Sequence, residues 1–302
     1  MDLIDTASPP LTRGCPRITF LLLAIAIPMM LPALAFATGN PGTAQANVHV
    51  LPPMTMDSLD RQRTVRIYLP PGYGDSDRRY PVLYMHDGQN LFDTASSYAG
   101  EWRVDETLNR LATERGLELI VVGIDHGGEH RIHELTPFDH PEYGAAEGAA
   151  YLEFLVGQLK PFVDARFNTM PGRDHTAIMG SSLGGLISHY ALLRYPEVFS
   201  RAAVFSPAYW VAPGIYPLAA ESADGARSRL YLLMGGAEGE DMVSGYLRMQ
   251  TLLQRQIPPS CLRTRLVPDG GHNEGFWRDE FARAVNWLFP TRPAAGRDLS
   301  AL

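Results

Sequence analysis

Residues 176–187 read Thr-Ala-Ile-Met-Gly-Ser-Ser-Leu-Gly-Gly-Leu-Ile, and the fold turns on how this stretch bends. Thr176 to Met179 is a short apolar run that predicts the end of a buried strand. Leu183 to Arg194 carries apolar residues at helical spacing. Between them, Gly180-Ser181-Ser182-Leu183-Gly184 makes a strand, a sharp turn and a helix, with a serine at the bend. Small neighbours let the backbone fold tightly and bring the helix against the strand, which pushes the serine hydroxyl outward above the sheet. Ser182 is therefore a candidate nucleophile. The pentapeptide alone also fits ordinary turns, so its context carries the weight.

Outward from this turn the sequence alternates strands and helices. Val82 to Met85, Leu119 to Ile124, Ala202 to Phe205, Leu230 to Met234 and Arg263 to Val267 are short apolar runs that fit strands of a largely parallel, buried sheet. Helices are predicted over Glu101 to Arg115, over Glu147 to Phe162, from about Met242 to Gln256, and over a closing segment with Phe281, Val285 and Leu288. Two earlier strands, Val48 to Leu51 and Arg63 to Leu69, are joined across Asp57 to Asp60. The pattern predicts one doubly wound α/β domain over 48–290, mostly parallel, with antiparallel N-terminal strands. There is no internal repeat and no second core.

Three strand ends then present, in chain order, a serine, a group of acids and a histidine: Ser182; Glu238, Glu240 or Asp241; and His272. A serine hydroxyl is a poor nucleophile until an imidazole takes its proton, and the imidazole needs a buried carboxylate to hold its tautomer. Spacing does not choose among the three acids. The negative oxygen of the tetrahedral intermediate needs donors aimed at it. The backbone N–H of Leu183 at the helix start is one candidate, and the N–H of Gln89, just beyond the strand ending at Met85, is the other. Asn90 either assists there or locks the loop.

The histidine-rich stretch from Asp125 to Glu134 offers His126, His130 and His133 as zinc ligands on paper. No cysteine pair and no helical HExxH pattern backs that reading, so no metal is expected; a substrate rim or a locked loop fits better. Arg131 is then placed to bind a carboxylate or pair with Glu134. Trp102, Tyr209, Trp210 and Trp277 fall near strand exits. Tyr209 and Trp210 are candidates to wall an acyl or sugar pocket, and Trp102 joins them as a substrate-contact candidate, whereas Trp277 is expected to pack in the core.

The ends and composition set the compartment. Arg13 and Arg17 precede a mostly apolar run from Ile18 to Phe36, broken by Pro28 and Pro32 and closing on Ala35-Phe36-Ala37. This predicts a signal peptide over 1–37, cleaved after Ala37, and a secreted or periplasmic protein. Residues 38–47 read as a linker and 291–302 as a C-terminal tail. Cleavage leaves Cys261 as the remaining cysteine, so no intrachain disulfide is expected. The 302 residues carry a net charge of −7 and no basic block, which argues against nucleic acid or anionic lipid as a partner.

Taken together, YPVLYMHDGQNLFD, VVGIDHGGEHRIHELTP, GRDHTAIMGSSLGGLISHYALLRYPEVF, FSPAYW and GGHNEGFW resemble the esterase family of α/β-hydrolases. That family includes feruloyl and acetylxylan esterases, S-formylglutathione hydrolase, enterochelin-type siderophore esterases and the antigen 85 mycolyltransferases. The resemblance runs from about Val48 to Phe289 and implies the α/β-hydrolase fold, Ser182 as nucleophile, His272 as base, and no metal or organic cofactor. It also favours Glu238, because Gly235-Gly236-Ala237-Glu238 matches the family's Gly-Thr-x-Asp/Glu segment except that Gly236 replaces the threonine. Asp87-Gly88-Gln89 matches its oxyanion loop.

The implied activity is serine-dependent hydrolysis of a siderophore, feruloyl, acyl-sugar or small acyl ester through an acyl-enzyme. Acyl transfer to a sugar or lipid alcohol by the same serine and a noncatalytic binding protein on a hydrolase fold are the alternatives. The triad also permits amide hydrolysis.

Overall fold

The computed structural model describes residues 42–222 and 227–290. The signal-peptide and C-terminal-tail segments lie outside the described residues. Eight strands form the main sheet in the order β1-β4-β6-β5-β7-β8-β9-β10. They are β1 (Val48–Val50), β4 (Val65–Tyr68), β5 (Val82–His86), β6 (Ile120–Ile124), β7 (Thr176–Ser181), β8 (Arg201–Phe205), β9 (Arg229–Gly235) and β10 (Leu262–Val267). β4 pairs antiparallel with both β1 and β6, and every pairing from β6 to β10 is parallel. This is the α/β-hydrolase arrangement, with antiparallel strands at the N-terminal edge.

The central strands are mostly apolar because both of their faces are covered: every residue of β5, β6 and β7 is buried. On one face lie α3 (Gly148–Phe154), α4 (Lys160–Arg166), α5 (Leu183–Arg194), α6 (Ile215–Glu221) and α7 (Glu240–Gln254). They contribute Leu152, Val163, Leu186, Ile215 and Met249 to one core cluster. On the other face α1 (Val104–Arg115) and α8 (Glu274–Leu288) supply Leu108, Leu111, Phe281 and Val285 to a second cluster. Four-residue α2 (Arg131–Glu134) sits in the loop after β6.

Three elements depart from the sequence expectation. The N-terminal connection contains a hairpin of its own, β2 (Met54–Met56) against β3 (Arg61–Arg63), whose turn closes at Asp60 with φ 48°. The helix expected over 147–162 runs on to Arg166 through a wide π turn at Leu155–Leu159. That turn lies just upstream of Pro161, whose missing N–H interrupts the regular ladder. α6 has no counterpart in the expectation, since Pro213, Gly214 and Pro217 break up its pattern. Residues 42–47, read as the end of a linker, lie against the domain: Thr43 N donates to Asp93 Oδ1 at 2.9 Å and Gln45 N to Asp105 Oδ2 at 2.8 Å.

The turn after β7 is tightly packed. Ser182 has φ 58° and ψ −120°, a conformation that costs an L-residue about 1–3 kcal/mol and persists only where neighbours enforce it. Its N–H donates to Phe205 O at 3.0 Å, and its carbonyl accepts from Ala208 N at 3.1 Å. Glycine is required on both sides. A Cβ at Gly180 would come within 2.6 Å of the Gly184 backbone, and one at Gly185 within 2.6 Å of Phe205 O.

Candidate active site

The carboxyl ends of β5, β7, β8, β9 and β10 converge on one place, and each loop leaving them contributes a group. Ser182 caps α5. Leu183 opens that helix, so its N–H has no carbonyl partner within the helix. Gln89 lies in the single 3-10 turn Gly88–Asn90 that follows β5, reached through Asp87 at φ 58°. This loop is pinned from several sides: Gln89 Oε1 accepts from His126 N at 3.0 Å, Gln89 O accepts from Ser96 Oγ at 2.8 Å, and Asn90 Oδ1 accepts from Tyr98 N at 3.1 Å. The backbone around Gln89 is thereby held in place.

His272 comes from the loop between β10 and α8. Its Nδ1 is 2.7 Å from Glu238 Oε2, and the Glu238 side chain has no exposed surface. With Nδ1 donating to the carboxylate, Nε2 is left as the acceptor. The other Glu238 oxygen, Oε1, accepts from Gly235 N at 2.9 Å and from Ser206 Oγ at 2.5 Å. Ser206 in turn accepts from Trp277 Nε1 at 2.9 Å. The Trp277 ring meets the His272 ring edge-on at 5.0 Å. The loops that carry the acid and the histidine are clipped together by Ala237 N donating to Gly270 O at 2.9 Å.

Of the three acids left open by spacing, Glu238 is the one bonded to His272. Glu240 and Asp241 start α7 and are exposed, where they favour the positive end of the helix dipole. Ser206 was not singled out from sequence, and Trp277 was expected only to pack. Their signal was their position, Ser206 at the end of β8 and Trp277 one turn into α8.

Ser182 and His272 line two cavities, one on each side. The first, about 450 Å³, is the more polar of the two and includes Asp87, Asn90, Tyr98, Trp102, His126 and Arg131. The second, about 460 Å³, is mainly apolar and includes Ile132, Tyr143, Leu183, Trp210, Val211 and Met242. Trp210 is half exposed at this second mouth. Trp102 borders the first cavity while stacking on Phe205 at 5.8 Å, so it serves wall and core together.

Two expectations are corrected. Tyr209 is buried, its hydroxyl is 2.8 Å from His189 Nδ1, and it packs against Tyr216; it belongs to the core and not to a pocket wall. Arg131 does not pair with Glu134. It grips Asp87 through two hydrogen bonds of 2.6 and 2.8 Å, while Glu134 is taken by Arg63 at 2.6 Å and Arg61 at 3.0 Å. Burial opposes ionisation of Asp87, yet the Arg131 guanidinium prevails and holds its carboxyl below the usual range.

Two of the three histidines read as possible zinc ligands have other partners. His126 Nδ1 accepts from Gly128 N at 3.0 Å, and His133 Nδ1 lies 3.1 Å from Ala145 O. His86, at the end of β5, is buried with Nδ1 2.7 Å from Tyr151 Oη, and burial lowers its pKa to about 4.

The family model Esterase, described as "Putative esterase", matches residues 56–288. The chain belongs to that esterase family. The esterase is 25% identical over 242 residues to the uncharacterized protein YbbA of Bacillus subtilis, covering 75% of this chain and 92% of that one. It is 26% identical over 262 residues to the iron(III) enterobactin esterase of Dickeya dadantii, covering 80% of this chain and 55% of the relative. Among solved structures, the enterobactin esterase FES from Shigella flexneri superimposes with a TM-score of 0.67 at 22% identity, over 81% of this chain and 59% of that one. A ferulic acid esterase does so with 0.63 at 18%, over 80% and 97%. These two likenesses establish the fold, and membership of the family makes the protein an esterase. Among the described residues of this esterase, no helix is long and apolar enough to cross a membrane.

Proposed function

We propose that this esterase hydrolyses bulky carboxylic esters through an acyl-enzyme on Ser182, with siderophore esters as the substrate class to test first. The observation that carries this reading is the pair of cavities, about 450 and 460 Å³, that share Ser182 and His272. Each is large enough for a substantial group on its own side of a scissile bond. A small acyl ester would leave one of them unfilled. Relatives named as siderophore esterases support the class: besides the Dickeya enzyme, the siderophore triacetylfusarinine C esterase of Aspergillus fumigatus is 30% identical over 141 residues, covering 43% of this chain and 44% of that one.

In the proposed cycle the Ser182 oxygen attacks the ester carbonyl carbon while His272 Nε2 takes the hydroxyl proton. The N–H groups of Leu183 and Gln89 hold the oxyanion, and loss of one such donor typically costs about 3–4 kcal/mol. Collapse breaks the carbon–oxygen bond to the alcohol, which leaves with the proton from His272. Water then attacks the acyl-enzyme, gives its proton to His272, and releases the acid with Ser182 restored. Glu238 keeps the imidazole oriented and stabilises its positive charge. Secretion belongs to the same proposal: Arg13, Arg17, the apolar run and Ala35-Phe36-Ala37 support export with cleavage after Ala37.

Reaction with a fluorophosphonate followed by peptide mass mapping tests the nucleophile, with a single adduct expected on Ser182. An adduct elsewhere, or hydrolysis surviving in Ser182→Ala, rejects the assignment. A panel of siderophore, feruloyl, acetyl-sugar and short acyl esters tests the class, and a preference for short acyl esters rejects it. The mass of the exported chain's N-terminus tests cleavage.

A further inference from the structure

On the α1 side of the site loop, three carboxyl groups gather. One oxygen from each of Glu101, Asp105 and Glu106 lies within 4.8 Å of the other two. Glu101 and Asp105 are buried, with 4% and 0% of their surfaces exposed. Each is held from one side by the N-terminal segment: Glu101 Oε1 accepts from Thr43 Oγ1 at 2.9 Å, and Asp105 Oδ2 from Gln45 N at 2.8 Å. The remaining oxygens are the anomaly. Glu101 Oε2, Asp105 Oδ1 and Glu106 Oε2 are all buried and have no hydrogen-bond partner.

Like charges brought together out of water repel, and each unpartnered buried carboxylate oxygen carries a desolvation cost. Arg103 does not answer this, because its Nε is 3.8 Å from Glu101 Oε2, too long for a hydrogen bond, and its side chain is 56% exposed. A site that disfavours its own carboxylates in this way calls for a compensating positive charge.

We propose that Glu101, Asp105 and Glu106 bind a divalent cation, calcium by preference, as a structural site separate from the ester chemistry. Calcium takes oxygen ligands at about 2.3–2.6 Å, so oxygens sharing one ion lie up to about 5 Å apart, the spread of these three. Carboxylates with no nitrogen or sulfur donor among them favour a hard cation over zinc or copper. The ion would fasten residues 43–45 to the start of α1. It would also brace Trp102, next in the chain to Glu101, in the wall of the more polar cavity.

The test uses the full mature chain stripped with EDTA, with melting followed as calcium chloride or magnesium chloride is added and terbium luminescence excited through tryptophan. Millimolar calcium is expected to raise the melting temperature by about 5 °C and magnesium to raise it less. Terbium emission is expected to be sensitised and to be displaced by calcium. Both responses are expected to fall at least tenfold in apparent affinity in Glu106→Gln, a partly exposed position that tolerates the change, and to vanish in Asp105→Asn. Melting that is indifferent to calcium but steeply dependent on pH near 7 would mean that the carboxyls share a proton, and would overturn the proposal. So would undiminished binding in Glu106→Gln.

Discussion

His272 Nδ1 stands 2.7 Å from Glu238 Oε2, on a carboxylate whose second oxygen is held by Ser206 and by the Gly235 N–H. The acid is therefore oriented from behind as well as in front. An imidazole steered by such a carboxylate keeps Nε2 free for the serine proton, whereas a freely rotating acid would orient it only part of the time.

Replacing that acid separates it from its neighbours in sequence. Glu238→Gln is expected to lower kcat/KM by about 10³- to 10⁴-fold, because an amide can present the wrong partner to Nδ1. Glu240→Gln and Asp241→Asn are expected to stay within about twofold of wild type, as exposed helix-start charges do. Steady-state kinetics on one ester, with circular dichroism to verify folding, compares the three variants.

Ser206 acts through Glu238. Ser206→Ala deletes one hydrogen bond to a charged oxygen and strands the Trp277 indole N–H. Such a loss is worth about 1.5–3 kcal/mol, so kcat is expected to fall by about 10- to 150-fold. KM should hold, since Ser206 is buried and borders neither cavity. A rise in KM at constant kcat would contradict this positioning role.

Activity and stability should trade at the bend. Ser182→Gly removes the Cβ from a residue at φ 58° and is expected to stabilise the fold by about 1 kcal/mol, or 2–4 °C in melting temperature, while abolishing hydrolysis. Ser182→Ala keeps the strained Cβ and is expected to be inactive without that gain. Calorimetry on the two variants distinguishes them.

Two buried histidines set the acid limit of the fold. Burial lowers both His86 and His189 from 6.5 to about 4. An unfolded chain takes up these protons near pH 6.5 and the folded chain does not, so the two histidines destabilise the fold increasingly as pH drops from about 6.5 towards 4, and their contribution levels off below that. Each shift corresponds to about 3 kcal/mol across the window. Urea unfolding at pH 7 and pH 4.5 should show the loss. His189→Asn, which keeps a side-chain hydrogen-bonding group near Tyr209 without a titrating ring, should reduce it.

Much of this was legible in the sequence because it is local. Apolar runs gave the parallel strands, and the small residues around Ser182 marked the bend. The order of Ser182, the acids and His272 followed from where strands end. What stayed hidden depends on backbone angles and on partners distant in sequence. Gly239 at φ 96° separates Glu238, which turns back towards the end of β9, from Glu240 and Asp241, which enter α7; three acids within four residues look alike until that angle is known. Arg131 had Glu134 three residues away, but Arg61 and Arg63 from the N-terminal hairpin had already neutralised it, leaving Asp87 on the loop after β5. Tyr209 and Trp210 are adjacent, yet one 3-10 turn sends the first into the core and leaves the second half exposed.

The indole of Trp277 is bonded to Ser206 and lies edge-on to His272, and a second indole, Trp102, lies 5.8 Å from it. Protonating the imidazole places a cation beside this aromatic pair, and unseating the carboxylate frees one of its N–H groups. The protein thus carries its own optical gauge: tryptophan emission, followed through acylation and deacylation, would report the state of the acid–base machinery without an added label.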